Sequence, residues 1–254
     1  MPGPLPDDPL PGMVLGGYRI DRAVASGGMG IVYSAVHHVL KRKAAVKVLR
    51  PEFARNEEQI ERFLKEAQAI SSIHHRGIIH VQDFGTLPDG RQYMVMEFLE
   101  GETLEEVLRK EAPMPVNRAL SIVDEVLDAL SAAHKVGVVH RDLKPSNVFM
   151  TLQSNGTAYA KLVDFGLAKQ SVFSGEEVQA FAKASVLAGT PEYISPEQAR
   201  GLVATPRTDL YCLGVMVFEM LSGGLPFAGN SLIEFLQAHV NQLAPRVSSY
   251  VPVP

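Results

Sequence analysis

The stretch from Val138 to Met150 sets His140, Arg141, Asp142, Lys144, Ser146 and Asn147 in a charged loop between two apolar, strand-like pieces. So many polar groups in so short a loop require a shared task. Further on, Lys161 to Gly166 places Asp164 at the end of another apolar run. Asn147 and Asp164 supply hard oxygen ligands of the kind that suit Mg2+. Upstream, Val24, Ala25, Ser26, Gly27, Gly28, Met29, Gly30, Ile31 and Val32 lie between two strand signals. A glycine hairpin there exposes backbone N–H groups that can hold phosphate oxygens. Alone, such a hairpin is no more than a turn. Lys47 gives it meaning, because an ammonium in the apolar strand Ala44 to Leu49 needs an anionic partner. Glu66 fills that need if its helix packs on the same sheet, with Lys47 then holding phosphates.

Short β-rich segments over Tyr18–Ala25, Gly30–His37, Lys43–Leu49, Ile78–Phe84 and Arg91–Phe98 predict an antiparallel sheet. One helix interrupts them. Asn56 is its N-cap, Gln59 the residue three on, and Ile60, Phe63, Leu64, Ala67 and Ile70 its apolar stripe. After Gly101 the pattern turns helical: Thr103 and Glu106 form a capping-box pair, and Ala119, Leu120, Val123, Val126, Leu127 and Leu130 repeat before Gly137. Strands first and helices after predict an α+β chain of two lobes joined near Glu97 to Gly101, with a cleft suited to a ligand. The polar stretch Gln170 to Ala184 reads as a mobile loop. His37 with His38, and His74 with His75, raise a metal site, but neighbouring side chains on a strand point apart and no cysteine is near.

At 254 residues and 46% hydrophobic the chain can bury a core in each lobe. A net charge of −4 gives no basic surplus for nucleic acid. The single cysteine, Cys212, cannot form an internal disulfide, which fits a reducing cytoplasm. The longest apolar run, Leu210 to Phe218, is too short to cross about 30 Å of hydrocarbon. Met1 to Gly12 is rich in Pro and Asp and reads as a flexible leader rather than a signal peptide.

The chain resembles the protein kinase family through six elements in order: the glycine loop, Ala45-Val46-Lys47, the helix glutamate Glu66, His140-Arg141-Asp142-Leu143-Lys144-Pro145-Ser146-Asn147, Asp164-Phe165-Gly166 and Ser195-Pro196-Glu197. Lys144 matches the Ser/Thr-specific form, and Gly27-Gly28-Met29-Gly30 with Ser195 to Gly201 resembles the bacterial branch. The resemblance implies a two-lobed fold: a leader over 1–17, a small antiparallel sheet lobe with one helix over 18–98, and a larger helical lobe over 99–254. It implies transfer of the γ-phosphate of ATP, with Mg2+, to serine or threonine hydroxyls of protein substrates in bacterial signalling. On that resemblance Asp142 takes the hydroxyl proton, Lys144 offsets phosphoryl charge, and Lys47, steadied by Glu66, holds the α- and β-phosphates. Asn147 and Asp164 fix Mg2+. Val24, Val32, Ala45, Phe149 and Val163 sandwich adenine, Met96 guards the back of the pocket, and Glu97 to Leu99 form the hinge.

Arg141 then awaits an anion, which a phosphorylated activation-loop residue would provide; the acceptors are Ser171, Ser174, Ser185 and Thr190, with Ser185 favoured. The chain departs from the family at Ala25, where the first glycine usually stands, and at Ala182 and Ala184, which lack a hydroxyl. After the helix from Ser231 to Asn241 it ends without the last helices of the larger lobe. That leads one to expect an unpaired Glu197, exposed apolar surface and a partner or further segment covering it. A rival reading, a catalytically silent kinase-shaped module, draws on the truncation and on Ala25. Against it stand Lys47, Asp142, Asn147 and Asp164. A small-molecule kinase would need a different catalytic loop.

Overall fold

A computed structural model describes residues 10–153, 156–166 and 191–251. The chain divides into two compact units. One runs up to Ser72 and resumes for Ile79–Leu99; the other is Ile73–Ile78 with the chain from Glu100 onward.

The first unit is built on strands β1 (Val14–Leu15), β2 (Tyr18–Ser26), β3 (Gly30–His37), β4 (Lys43–Leu49), β5 (Val81–Thr86) and β6 (Gln92–Glu97), all antiparallel, in the order β1-β2-β3-β4-β6-β5. Alternation along β4 explains its double apolar character. Ala44, Val46 and Val48 join Tyr33, Ala35, Tyr93 and Val95 in one buried cluster, which leaves Ala45 and Lys47 on the opposite face. Helix α1 (Glu57–Ser71) packs on that second face, where Phe63 meets Phe84 at 5.8 Å between ring centres. It begins where the Asn56 side chain accepts the Gln59 N–H at 3.1 Å. Its buried residues are Phe63, Glu66, Ala67 and Ile70, with Leu64 turned outward.

Residues 10–17 are a fixed part of this unit, not a flexible leader. Leu10 and Leu15 are 1% and 6% exposed within the buried cluster, and the Ile20 N–H donates to the Met13 carbonyl. Apolar residues scattered among prolines and glycines hide such an edge strand from periodicity. The strand expected from Ile78 starts at Val81, because Ile78 belongs to the second unit, where it makes a parallel bridge to Leu162. The rings of His37 and His38 stack rather than point apart, since β3 ends at His37 and a turn begins.

The second unit holds the sheet β7 (Gly101–Thr103), β8 (Val148–Leu152) and β9 (Ala158–Leu162), with helices α2 (Leu104–Glu111), α3 (Val116–Lys135), α4 (Pro196–Ala199), α5 (Pro206–Ser222) and α6 (Leu232–Asn241). Thr103 and Glu106 form the reciprocal capping box that opens α2. In α3 the buried stripe is Ala119, Ile122, Val126, Ala129, Leu130 and Ala133. Leu120 and Leu127, expected in that stripe, are 57% and 39% exposed. Small side chains took the core face because the backbone approaches closely there: a Cβ on Gly77 would stand 2.9 Å from Ala129. Cys212 on α5 is buried, and that burial pushes its thiol well above the usual range. No described helix is long and apolar enough to cross a membrane.

Candidate active site

In the first unit the site begins at the hairpin between β2 and β3, closed by the Gly27 N–H donating to the Gly30 carbonyl at 2.9 Å. A Cβ at Gly30 would stand 2.8 Å from the Val48 carbonyl oxygen, so the hairpin lies too close to β4 for any side chain there. Directly opposed residues share a face. The pairs Ala25↔Val32, Val32↔Lys47, Lys47↔Met94 and Ala45↔Met96 therefore put Ala25, Val32, Ala45, Lys47 and Met96 on one surface of the sheet. Val24 falls at the irregularity between Ala23 and Ala25. The Glu97 carboxylate accepts the His80 N–H at 2.9 Å, tying the end of β6 to the chain before β5, with Leu99 two residues beyond.

Lys47 Nζ lies 2.8 Å from Glu66 Oε1, with the two side chains 11% and 4% exposed. The predicted partnership between strand and helix is thus present. Burying a lone ammonium would be costly, and removing one member of such a pair typically destabilises by about 3–5 kcal/mol.

In the second unit the predicted catalytic loop is organised by a residue the sequence reading missed. Asp209, fully buried near the start of α5, accepts the backbone N–H of His140 through Oδ2 and that of Arg141 through Oδ1, both at 2.9 Å. Its Oδ2 also meets His134 Nε2 at 2.7 Å. The bonds matter because Arg141 sits at φ +66°, a conformation that costs a non-glycine residue free energy. Gln198 adds a bond from its amide to the Arg141 carbonyl at 2.7 Å. The only signal of Asp209 in the sequence was a carboxylate at the head of an apolar helix.

His140 is fully buried against Phe165, with ring centres 4.5 Å apart. Burial pushes its imidazole below the ordinary range, so it is neutral. One tautomer then serves both contacts: Nε2–H donates to the Val163 carbonyl at 3.2 Å and Nδ1 accepts from the Asp142 N–H at 3.4 Å. Asn147 donates its amide to the Asp142 carbonyl at 2.8 Å and to Asp142 Oδ2 at 3.3 Å. Lys144 Nζ also lies 3.3 Å from Asp142 Oδ2. The Val163 N–H donates to the Asn147 carbonyl, and the Gly166 N–H to that of His140. These bonds stitch the loop to the segment bearing Asp164, itself exposed and at φ +52°. At Gly166 a Cβ would stand 2.8 Å from the Asp142 Cβ, so only glycine fits. Phe149, on β8, pairs with Thr103 and Lys161.

Two expectations are corrected. Glu197 is not unpaired: the Thr208 hydroxyl donates to its Oε1 at 2.6 Å. Arg141 is not a cation awaiting its first anion, because the Asp209 carboxylate already opposes the lowering that burial imposes on its guanidinium. Ser171, Ser174, Ser185 and Thr190, with Ala182 and Ala184, lie outside the described residues.

The description of a protein kinase domain matches residues 18–250, and the chain belongs to the protein kinase family. Serine/threonine-protein kinase pkn3 of Myxococcus xanthus is 40% identical over 228 residues, covering 90% of this chain and 42% of that protein. Serine/threonine-protein kinase PknA of Mycobacterium tuberculosis is 39% identical over 249 residues, covering 96% of this chain and 56% of that protein. This chain therefore spans about half the length of these relatives. The crystal structure of the Mycobacterium tuberculosis PknI kinase domain matches with a TM-score of 0.69 at 28% identity, covering 94% of this chain and 83% of that one. The α+β architecture, a strand-rich unit with one helix and a mainly helical unit, is that of the family.

Proposed function

We propose that this chain is the catalytic domain of a Ser/Thr protein kinase, transferring the γ-phosphoryl group of ATP to serine or threonine hydroxyls of proteins. The observation that carries this reading is the Asp142 carboxylate, 3.3 Å from Lys144 Nζ, on a loop whose backbone is fixed by the buried Asp209. The names of the relatives, all Ser/Thr protein kinases, support the substrate class.

The donor set fits Mg2+. Asn147 commits its amide nitrogen to Asp142 and so turns its amide oxygen the other way, and Asp164 offers an exposed carboxylate. Two hard oxygens leave the remaining positions to phosphate and water, as Mg2+ prefers. Bound Mg·ATP supplies the transferable phosphoryl group and a metal charge to balance its oxygens.

Asp142 accepts the hydrogen bond of the substrate hydroxyl, orients its lone pair, and takes the proton as the bond to phosphorus forms and the bond to ADP breaks. The proton then passes to solvent. Lys144 offsets charge on the phosphoryl oxygens. Lys47, held by Glu66, binds the α- and β-phosphates, and the hairpin amides at residues 28–30 take further phosphate oxygens. Val24, Val32, Ala45 and Met96 offer adenine an apolar surface on the sheet of the first unit.

The test is incorporation of labelled phosphate from Mg·ATP into the protein itself and into a generic basic protein, comparing wild type with Asp142→Asn after both are shown to be folded. Loss of roughly a thousandfold in Asp142→Asn is expected for removal of a positioned base. Folded wild type that binds ATP and transfers nothing would instead identify a nucleotide-binding module.

A further inference from the structure

The glycine hairpin is fastened to a residue that plays no part in the reading above. Arg50, the first residue after β4, donates its backbone N–H to the Met29 carbonyl at 3.0 Å. Its guanidinium reaches back over the same hairpin: Nε donates to the Gly27 carbonyl at 2.9 Å and Nη2 to Ser26 Oγ at 2.8 Å.

These bonds set the direction of groups that Arg50 does not touch. The Gly27–Gly28 and Met29–Gly30 peptides are trans, the one described cis bond being Ala112–Pro113. In a planar trans peptide the C=O and the following N–H point opposite ways. Turning the Gly27 and Met29 carbonyls onto residue 50 therefore turns the Gly28 and Gly30 N–H groups away from it. Without the side-chain hold, glycine at residues 27 and 28 leaves the Gly27–Gly28 peptide free to rotate, because glycine accepts nearly every backbone conformation, whereas the Met29 carbonyl keeps its bond to the backbone N–H of residue 50 whatever side chain stands there. The planar fork of arginine suits the task, since two of its donors reach two acceptors at fixed separation; a lysine ammonium has no such geometry.

We propose that Arg50 is a positioning residue for nucleotide phosphates: its guanidinium presets the hairpin so that the Gly28 amide already faces the side from which phosphate oxygens arrive. The inference rests on the reading of the chain as an ATP-dependent kinase. Arg50 acts by removing the ordering cost that a loose hairpin would incur on binding, and its effect falls on the phosphates alone, not on adenine.

Isothermal titration of the intact chain with ATP, ADP and adenosine, for wild type, Arg50→Met, Arg50→Lys and Ser26→Ala, tests this. In Arg50→Met, Kd for ATP and for ADP should rise about tenfold, the scale of one charge-assisted hydrogen bond, while Kd for adenosine stays within twofold. Arg50→Lys should recover less than half of the loss on a logarithmic scale, and Ser26→Ala, which removes one arm of the fork, should cost about two- to threefold. Amide exchange at Gly28 should speed up in Arg50→Met without nucleotide, a change that a direct phosphate contact would not produce. Equal weakening of ATP and adenosine, unchanged ATP affinity, or full rescue by lysine would each overturn the proposal. Wild type that binds adenosine and not ATP would fail the kinase reading itself, and is told apart by appearing before any substitution is made.

Discussion

The hairpin at residues 26–30 is fastened by its own turn and by Arg50, through groups at the surface. The loop at residues 140–147 is fastened from below: a fully buried carboxylate holds two of its amides, a buried neutral imidazole fills its turn, and Asn147 closes it. The difference follows from the parts. A hairpin that must offer backbone N–H groups to a ligand has to be made of glycine, and glycine brings nothing to bury. A loop that must hold one carboxylate in place can spend its neighbours on buried bonds. The first is therefore adjustable and forgiving, and the second is over-determined.

Substitutions sharpen that contrast, beginning with the largest effect. Asp209→Ala should cost upward of about 4 kcal/mol, since it strands two buried backbone donors and releases Arg141 from a strained conformation. Urea denaturation measures the stability loss, and kcat should fall at least a hundredfold in whatever fraction remains folded. Lys47→Met should cost about 3 kcal/mol by leaving Glu66 buried without its 2.8 Å partner. Adding Glu66→Leu should restore most of that stability without restoring activity, which separates the pair's structural cost from its chemistry. Gly166→Ala, which drives a methyl group against Asp142, should cost about 2 kcal/mol and lower kcat more than it raises KM for ATP.

The smallest effect is a pH dependence carried by two buried histidines, one of them in that loop. Burial depresses His140, and also His239, below the ordinary imidazole range. A neutral imidazole in the fold and a protonatable one in the unfolded chain mean that the unfolded state binds more protons below about pH 6.5. The stabilisation is complete above that pH and is lost as pH falls toward the depressed folded values, with a slope of up to about 1.4 kcal/mol per pH unit for each histidine. Denaturation midpoints between pH 7.5 and 5.5 should show that slope, and His140→Phe should reduce it; an unchanged slope would assign the dependence elsewhere.

The parts that were legible in the sequence were those that local pattern encodes. β-branched alternation located β2, β3 and β4, Asn56 and Thr103 announced their helices, and Lys47 stranded in an apolar run called for a partner that Glu66 supplied. What escaped was carried by distance or by small residues. Asp209 meets the catalytic loop from a helix far along the chain, and no spacing rule links the two. Arg50 follows a strand with no spacing or motif that marks it. The core face of α3 is lined partly by alanines, so the bulkier Leu120 and Leu127 suggested the wrong stripe. Leu10 and Leu15 looked like residues of a disordered leader because no periodicity surrounds them.

Cys212 gives this molecule a built-in clock. It is the chain's single cysteine, it is 2% exposed, and its thiol is held well above the pH at which thiolates form in water. Alkylating reagents attack the thiolate, so the native protein should be inert to them and every labelled molecule must first have opened around α5. A mass-spectrometric time course of iodoacetamide uptake would then read the opening frequency of the helical unit directly, one site per molecule, with no engineered probe.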